Sequence, residues 1–274
     1  MKSLPRKRTG NDGKVILFLA FLMFGGALFM IGKTWYTHSK RVTQGTQSES
    51  NLGDFRLISP ENIQERMVRN EVIRFIDIRP RTSYEENHLI DSVWLGLAEI
   101  AYYAAPTTEL IVIVHGKENT NEQLKEINAL YRGKKLQFAF LDGGINNWIT
   151  KGGAVITTGN PDSYLDQTKV TPILPEKVDE LRATLVRSIM LDVRTESEFS
   201  AGHVPDAINL PFAQLEKERS QIPGLGSLIV YGSSELDTFR AGTQLFDMGY
   251  FGVRIISGGF EAWKTKGLPI EKKQ

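Results

Sequence analysis

No cysteine occurs anywhere in the 274 residues. That absence removes disulfides, thiolate metal sites, iron–sulfur clusters and any cysteine nucleophile. It leaves the compartment open, because a cysteine-free chain survives in oxidising and reducing surroundings alike. Histidine is nearly as scarce, with only His38, His88, His115 and His203, and none lies in H-x-x-x-H spacing. No metal and no cofactor is expected on that inventory. A strong excess of either charge is also missing, since the formal net charge is +1. Lys2, Arg6, Lys7, Arg8, Lys14 and Lys33 face only Asp12 in the first 33 residues, so the remainder is mildly acidic. Without a basic field, that remainder is not expected to bind nucleic acid.

What is present begins with "VILFLAFLMFGGALFMIG", residues 15–32, uncharged between Lys14 and Lys33. At 1.5 Å per residue it spans about 27 Å as a helix, just enough for a bilayer core. A cleaved signal peptide fits less well, because the run is long and no small-x-small site follows it. Trp35 and Tyr36 stand where interfacial aromatics anchor a retained helix. The sequence therefore predicts a basic tail over 1–14, a transmembrane signal anchor over 15–32 and a polar tether over 33–53. Five basic residues precede the span and three follow closely. That bias sets the N-terminus in the cytoplasm and the bulk of the chain outside it, in a periplasm or at the cell exterior.

Beyond the tether the chain repeats itself at an offset of about 115 residues. "FIDIRPRTSYEENHLIDSVWL" (75–95) aligns with "MLDVRTESEFSAGHVPDAINL" (190–210), and "DGGINNWITKGG" (142–153) with "SGGFEAWKTKGL" (257–268). The period is too long for a solenoid, so two complete domains are expected, 54–158 and 172–274, joined by a linker over 159–171. In each, short β-rich runs alternate with helical patterns, which argues for a parallel sheet covered by helices. The second unit reads as a helix opened by Pro175, strands "SIMLDV" and "SLIVY", a helix from near Thr238, strand "VRIIS" and a short helix near Gly259.

On "LDVRTESEFSAGHVPDAINLP" (191–211) and "ISGGFEAWKTKGLPI" (256–270), the sequence resembles the rhodanese superfamily. The first unit carries the resemblance more weakly, with "NHLIDSVWLG" in place of a Gly-His-apolar-Pro run. The resemblance implies tandem α/β domains, each a five-stranded parallel sheet with helices on both faces. It also implies an active-site loop, C-x-x-G-x-R, directly after the central strand. There a cysteine accepts sulfane sulfur, and loop amides and the arginine stabilise the anionic adduct.

That loop is degenerate here. Registering on Gly249-Tyr250 puts Gly232 at the cysteine position, Glu235 at the loop glycine and Asp237 at the arginine. In the first unit, "LIVIVHGKENT" sets His115-Gly116 where Tyr231-Gly232 stand, followed by Lys117. Neither Gly116 nor Gly232 can carry sulfur, and the same deficit excludes a phosphatase of this fold. No catalytic residue is expected. The candidate loop and binding residues are His115, Gly116, Lys117, Gly232, Ser233, Ser234, Glu235 and Asp237.

Each has a plain structural reading. Ser233 and Ser234 lack a nearby histidine in sequence, so a turn or helix-cap role is favoured over nucleophilic catalysis. Glu235 and Asp237 suit the first turn of a helix. Asp77 with Arg79 and Asp192 with Arg194 read as internal ion pairs, and His88 and His203 as histidines bonded to backbone. Gly258-Gly259, like Gly143-Gly144, reads as a strand-to-helix turn, and Trp263 and Trp148 as core. The expected function is a membrane-tethered, catalytically silent pair of rhodanese-like domains that binds or scaffolds a protein partner. Binding of a sulfur compound or other small anion, or a non-cysteine enzyme using the same cradle, are the alternatives.

Overall fold

Apolar residues in the central strands alternate between two faces, and that alternation builds each half of the molecule. The computed structural model describes residues 51–52, 55–104, 108–134, 136–224 and 226–272. The expected basic tail, membrane anchor and nearly all of the tether lie outside them. Among the described residues no helix is long and apolar enough to cross a membrane.

The second domain is built on five parallel strands in the order Ala207–Asn209, Ser188–Asp192, Ser227–Tyr231, Arg254–Ile256 and Thr171–Ile173. Ile189, Leu191, Leu228 and Val230 face one side of this sheet, where Phe239, Ala241 and Leu245 of the helix Glu235–Asp247 cover them. Met190, Ile229 and Tyr231 face the other, against Val178, Phe260 and Trp263 from the helices Val178–Thr184 and Gly259–Thr265. Strands buried on both faces need apolar residues at successive positions, which is what "SIMLD" and "SLIVY" supply. Burying each large side chain contributes about 1.5–3 kcal/mol.

The first domain repeats this plan. Its parallel strands run Phe55–Ile58, Phe138–Leu141, Leu110–Val114, Ile73–Asp77 and Val93–Trp94, with helices again on both faces. It differs from the expected five strands by a sixth, Asn51–Leu52, antiparallel to Phe55–Ile58. Asn51–Leu52, from the end of the expected tether, therefore belongs to the sheet.

Both domains fall in one packed unit. The expected linker is also engaged rather than loose. Lys169 bridges Asp166 and Asp247, each at 2.8 Å, and Thr157 donates from its amide and hydroxyl to Asp247. Thr171, the linker's last expected residue, already pairs in the second sheet.

Candidate functional site

In a parallel sheet the loops at the carboxyl ends of the strands gather at one edge, where ligands are ordinarily held. In the second domain that edge carries Gly232–Ser234, between the strand Ser227–Tyr231 and the helix Glu235–Asp247. The helix starts one turn before the expected Thr238. Ser234 is its cap, its hydroxyl accepting from the Asp237 amide at 3.3 Å and donating to the Asp237 carboxylate at 2.7 Å. Glu235 and Asp237 then occupy the first turn, where negative charge favours the helix dipole.

The groups around Gly232 are bonded to the protein itself. The Gly232 amide donates to Thr238 Oγ1 at 2.8 Å, and that hydroxyl donates on to the Ser234 carbonyl. The Gly258 amide donates to the Glu235 carboxylate. The Gly232 carbonyl accepts from the Phe260 amide at 2.9 Å. Gly232 is buried, and a Cβ built on it would stand 2.8 Å from the Asp237 Cβ. The space in which a side chain at 232 would project is filled by Asp237. Gly259, at φ +61°, holds the turn beneath, since a Cβ there would meet the Gly232 and Ser234 carbonyls at 2.8 Å.

Ser233 is half-buried and donates to Glu198 Oε1 at 2.8 Å. Glu198 also accepts from the Thr195 amide and hydroxyl. The Thr195 hydroxyl chiefly, with Ser233 after it, holds this carboxyl below the ordinary glutamate range. A general base works best with a pKa near the working pH, so a depressed carboxylate activates a serine poorly. The Ser233–Glu198 pair is a brace between loop and helix.

Asp192 is fully buried and pairs with Arg194, which also donates from Nη2 to the Gly202 carbonyl at 2.8 Å. The Arg194 guanidinium lies 3.6 Å over the Phe260 ring, a stacked contact that desolvation strengthens. In the first domain Asp77 and Arg79 make the same pair at 2.7 Å, and Arg79 reaches the Asn87 carbonyl. His203 Nδ1 lies 2.9 Å from the Phe199 carbonyl and the ring stacks on Phe199. Trp148 and Trp263 are core residues.

The first-domain loop corrects the expected equivalence. Asp77 pairs in register with Val114, as Asp192 does with Tyr231. Ile78 donates to the Val114 carbonyl as Val193 does to that of Tyr231. The His115 carbonyl accepts from Ile145 as that of Gly232 does from Phe260. His115, rather than Gly116, therefore stands where Gly232 stands. Thirty-seven positions separate Asp77 from Val114 and thirty-nine separate Asp192 from Tyr231, and the next connection restores the difference. Two compensating length changes hide the shift from a constant sequence offset.

His115 is half-buried, its Nε2 on the Leu141 carbonyl at 3.0 Å, and burial holds its pKa below the ordinary value. Nε2–H must be the donor there, which leaves Nδ1 as the acceptor. Gly116 donates to Asn119 Oδ1, and Asn119 Nδ2 donates to the Ile78 carbonyl, so this loop is tied down from within. Lys117 is exposed.

A pocket of about 370 Å³ opens beside the second-domain loop, reached by Ser233 but not by Gly232. Arg194, Gly202, Phe260, Lys264, Ile270 and Lys272 contribute to its walls. Sequence reasoning missed it, because no local signal announces that residues 194, 202, 260 and 272 converge.

The family described as Rhodanese-like domain matches residues 59–151 and 175–266. A sulfurtransferase of Allochromatium vinosum is 32% identical over 101 residues, 37% of this chain and 94% of that protein. Thiosulfate sulfurtransferase 16, chloroplastic, of Arabidopsis thaliana is 37% identical over 93 residues, 30% of this chain and 78% of that protein. Among solved structures, a thiosulfate sulfurtransferase from Pseudomonas aeruginosa aligns at 18% identity and TM-score 0.41 over 80% of this chain and 44% of that one.

Proposed function

The chain belongs to the rhodanese-like domain family, and from that premise we propose that it is a membrane-anchored, catalytically silent tandem whose two domains bind a protein partner. The observation that carries the reading is the missing nucleophile: His115 and Gly232 occupy the two equivalent loop positions, and the chain has no cysteine. Persulfide chemistry needs a polarisable thiolate lowered in pKa by amides and positive charge. Here the second loop offers Glu235 and Asp237 instead, and the Gly232 amide already has an acceptor in Thr238. The carboxylates of Glu235 and Asp237 in the first helical turn disfavour anion capture on the loop amides. The uncharged stretch 15–32 and its flanking basic residues support the anchor, and with it an extracytoplasmic location for the domains.

The test is capture of the full chain from crosslinked membranes, beside an assay for thiocyanate release from thiosulfate and cyanide. The reading expects one defined partner, lost with a version retaining only residues 1–53, and no turnover above buffer. Turnover abolished by Ser233→Ala or His115→Ala would overturn it.

A further inference from the structure

The two buried arginines each pair with the aspartate two residues before them, but they differ in the partner of one guanidinium nitrogen. Arg79 donates from Nη1 to the Asn87 side chain at 3.3 Å and from Nη2 to the Asn87 carbonyl. Arg194 keeps the carbonyl bond, now to Gly202, but glycine supplies no side chain. Among the described residues the Arg194 Nη1 has no acceptor, although the side chain is only 4% exposed. Arg194 and Gly202 both line the 370 Å³ pocket, so the missing Asn87 counterpart leaves an opening beside an unpaired guanidinium nitrogen.

The rest of the wall carries charges of both signs and an apolar side. Glu198 already accepts from Thr195 and Ser233, and Glu261 from Lys264 at 2.8 Å. Glu261 is thus neutralised by a lysine, whereas Glu198 keeps its charge while its oxygens are occupied by neutral donors. Lys272 is exposed at the rim with no ion pair among the described residues. Ala201, Phe260 and Ile270 supply apolar surface. The one open nitrogen, Nη1, can donate a single charge-assisted hydrogen bond to a carboxylate oxygen.

We propose that this pocket of the second domain binds a carboxylate carried on a small apolar body. The carboxylate sits on Arg194 Nη1, with Lys272 at the entrance, and the apolar body lies against Ala201, Phe260 and Ile270. The site is separate from the loop amides and needs no nucleophile.

Benzoate is the probe, titrated into the purified full chain by calorimetry, with benzamide as the uncharged control. Saturable benzoate binding is expected, with benzamide at least tenfold weaker. Gly202→Asn installs the Asn87 counterpart at an extended backbone position, the only close approach being to the flexible Ile270 Cγ2 at 2.9 Å. It should weaken benzoate at least tenfold. Lys272→Glu, on the surface and without consequence for folding, should weaken it at least threefold and carries the test if Gly202→Asn fails to fold. A peptide ending in a free carboxylate that displaces benzoate, where its amidated twin does not, would support the site and assign the carboxylate to a polypeptide end. Absent saturation, equal binding of benzamide, or unchanged affinity in both variants would overturn the proposal. Failure of partner capture with benzoate binding intact would sink the scaffold reading alone.

Discussion

The His88 imidazole of the first domain meets the Glu216 carboxylate of the second, Nε2 to Oε2 at 3.0 Å, while Nδ1 lies 2.9 Å from the Tyr84 carbonyl. The other Glu216 oxygen accepts from the Asp91 amide at 2.7 Å, and Arg219 grips the Asp91 carboxylate with both terminal nitrogens at 2.7 Å. His203, the repeat equivalent of His88, has no such reach and bridges instead to Glu271 at the end of its own domain. One histidine position thus closes a domain in one copy and joins two domains in the other.

Glu216→Ala should loosen the joint. It strips an acceptor from a nearly buried imidazole and from a backbone amide, a loss of about 1–3 kcal/mol. Denaturant unfolding should lose cooperativity, and limited proteolysis should accelerate in 159–170. An unchanged cleavage rate would show that the Arg219–Asp91 pair suffices alone.

Gly232→Cys should not restore sulfur transfer. Its Cβ would lie 2.8 Å from that of Asp237, so the loop must shift, at about 1–3 kcal/mol. The thiol would also sit beside the carboxylates of Glu235 and Asp237, which oppose thiolate formation. Thiocyanate release should stay at background. Measurable turnover in this single variant would refute the account in which Asp237 fills the space for a side chain at 232.

Asp192→Ala leaves Arg194 charged and largely unpaired inside the protein. Breaking a buried pair from one side costs about 3–5 kcal/mol. The second domain should unfold at markedly lower denaturant, as Asp77→Ala should cause in the first. A loss below about 1 kcal/mol would mean that Phe260 and the Gly202 carbonyl hold the guanidinium unaided.

His115 gives a pH dependence of definite sign. Burial lowers its folded-state pKa below the ordinary 6.5. The unfolded chain therefore takes up the proton first as pH falls, and stability declines from about pH 6.5 down to the folded value. Above that range the group contributes nothing to the slope. His115→Gln should flatten the decline in melting temperature between pH 7 and 5, and parallel curves for the two proteins would contradict the assignment.

Tyr131 is buried with its hydroxyl unpaired among the described residues, and burial pushes its pKa up to about 12. Tyr131→Phe removes an unsatisfied polar atom while keeping the ring against Phe138. The variant should be as stable as the parent or more stable by about 1 kcal/mol. A clear loss in thermal unfolding would reveal a partner for the hydroxyl.

The sequence by itself determined the two-domain α/β plan, because a repeat of about 115 residues in which β-rich runs such as "SIMLD" alternate with helical patterns calls for two parallel sheets covered by helices. It also determined the loss of persulfide chemistry, since composition alone removes sulfur nucleophiles. Only the tertiary structure decided which residue stands at the first loop. Matching "LIVIVHG" to "SLIVYG" pointed to Gly116, and hydrogen-bond register across strands moved the position to His115. The same holds for the Arg194 pocket and the His88–Glu216 joint. These depend on residues 58 to 128 positions apart meeting in space, a proximity that no local pattern encodes.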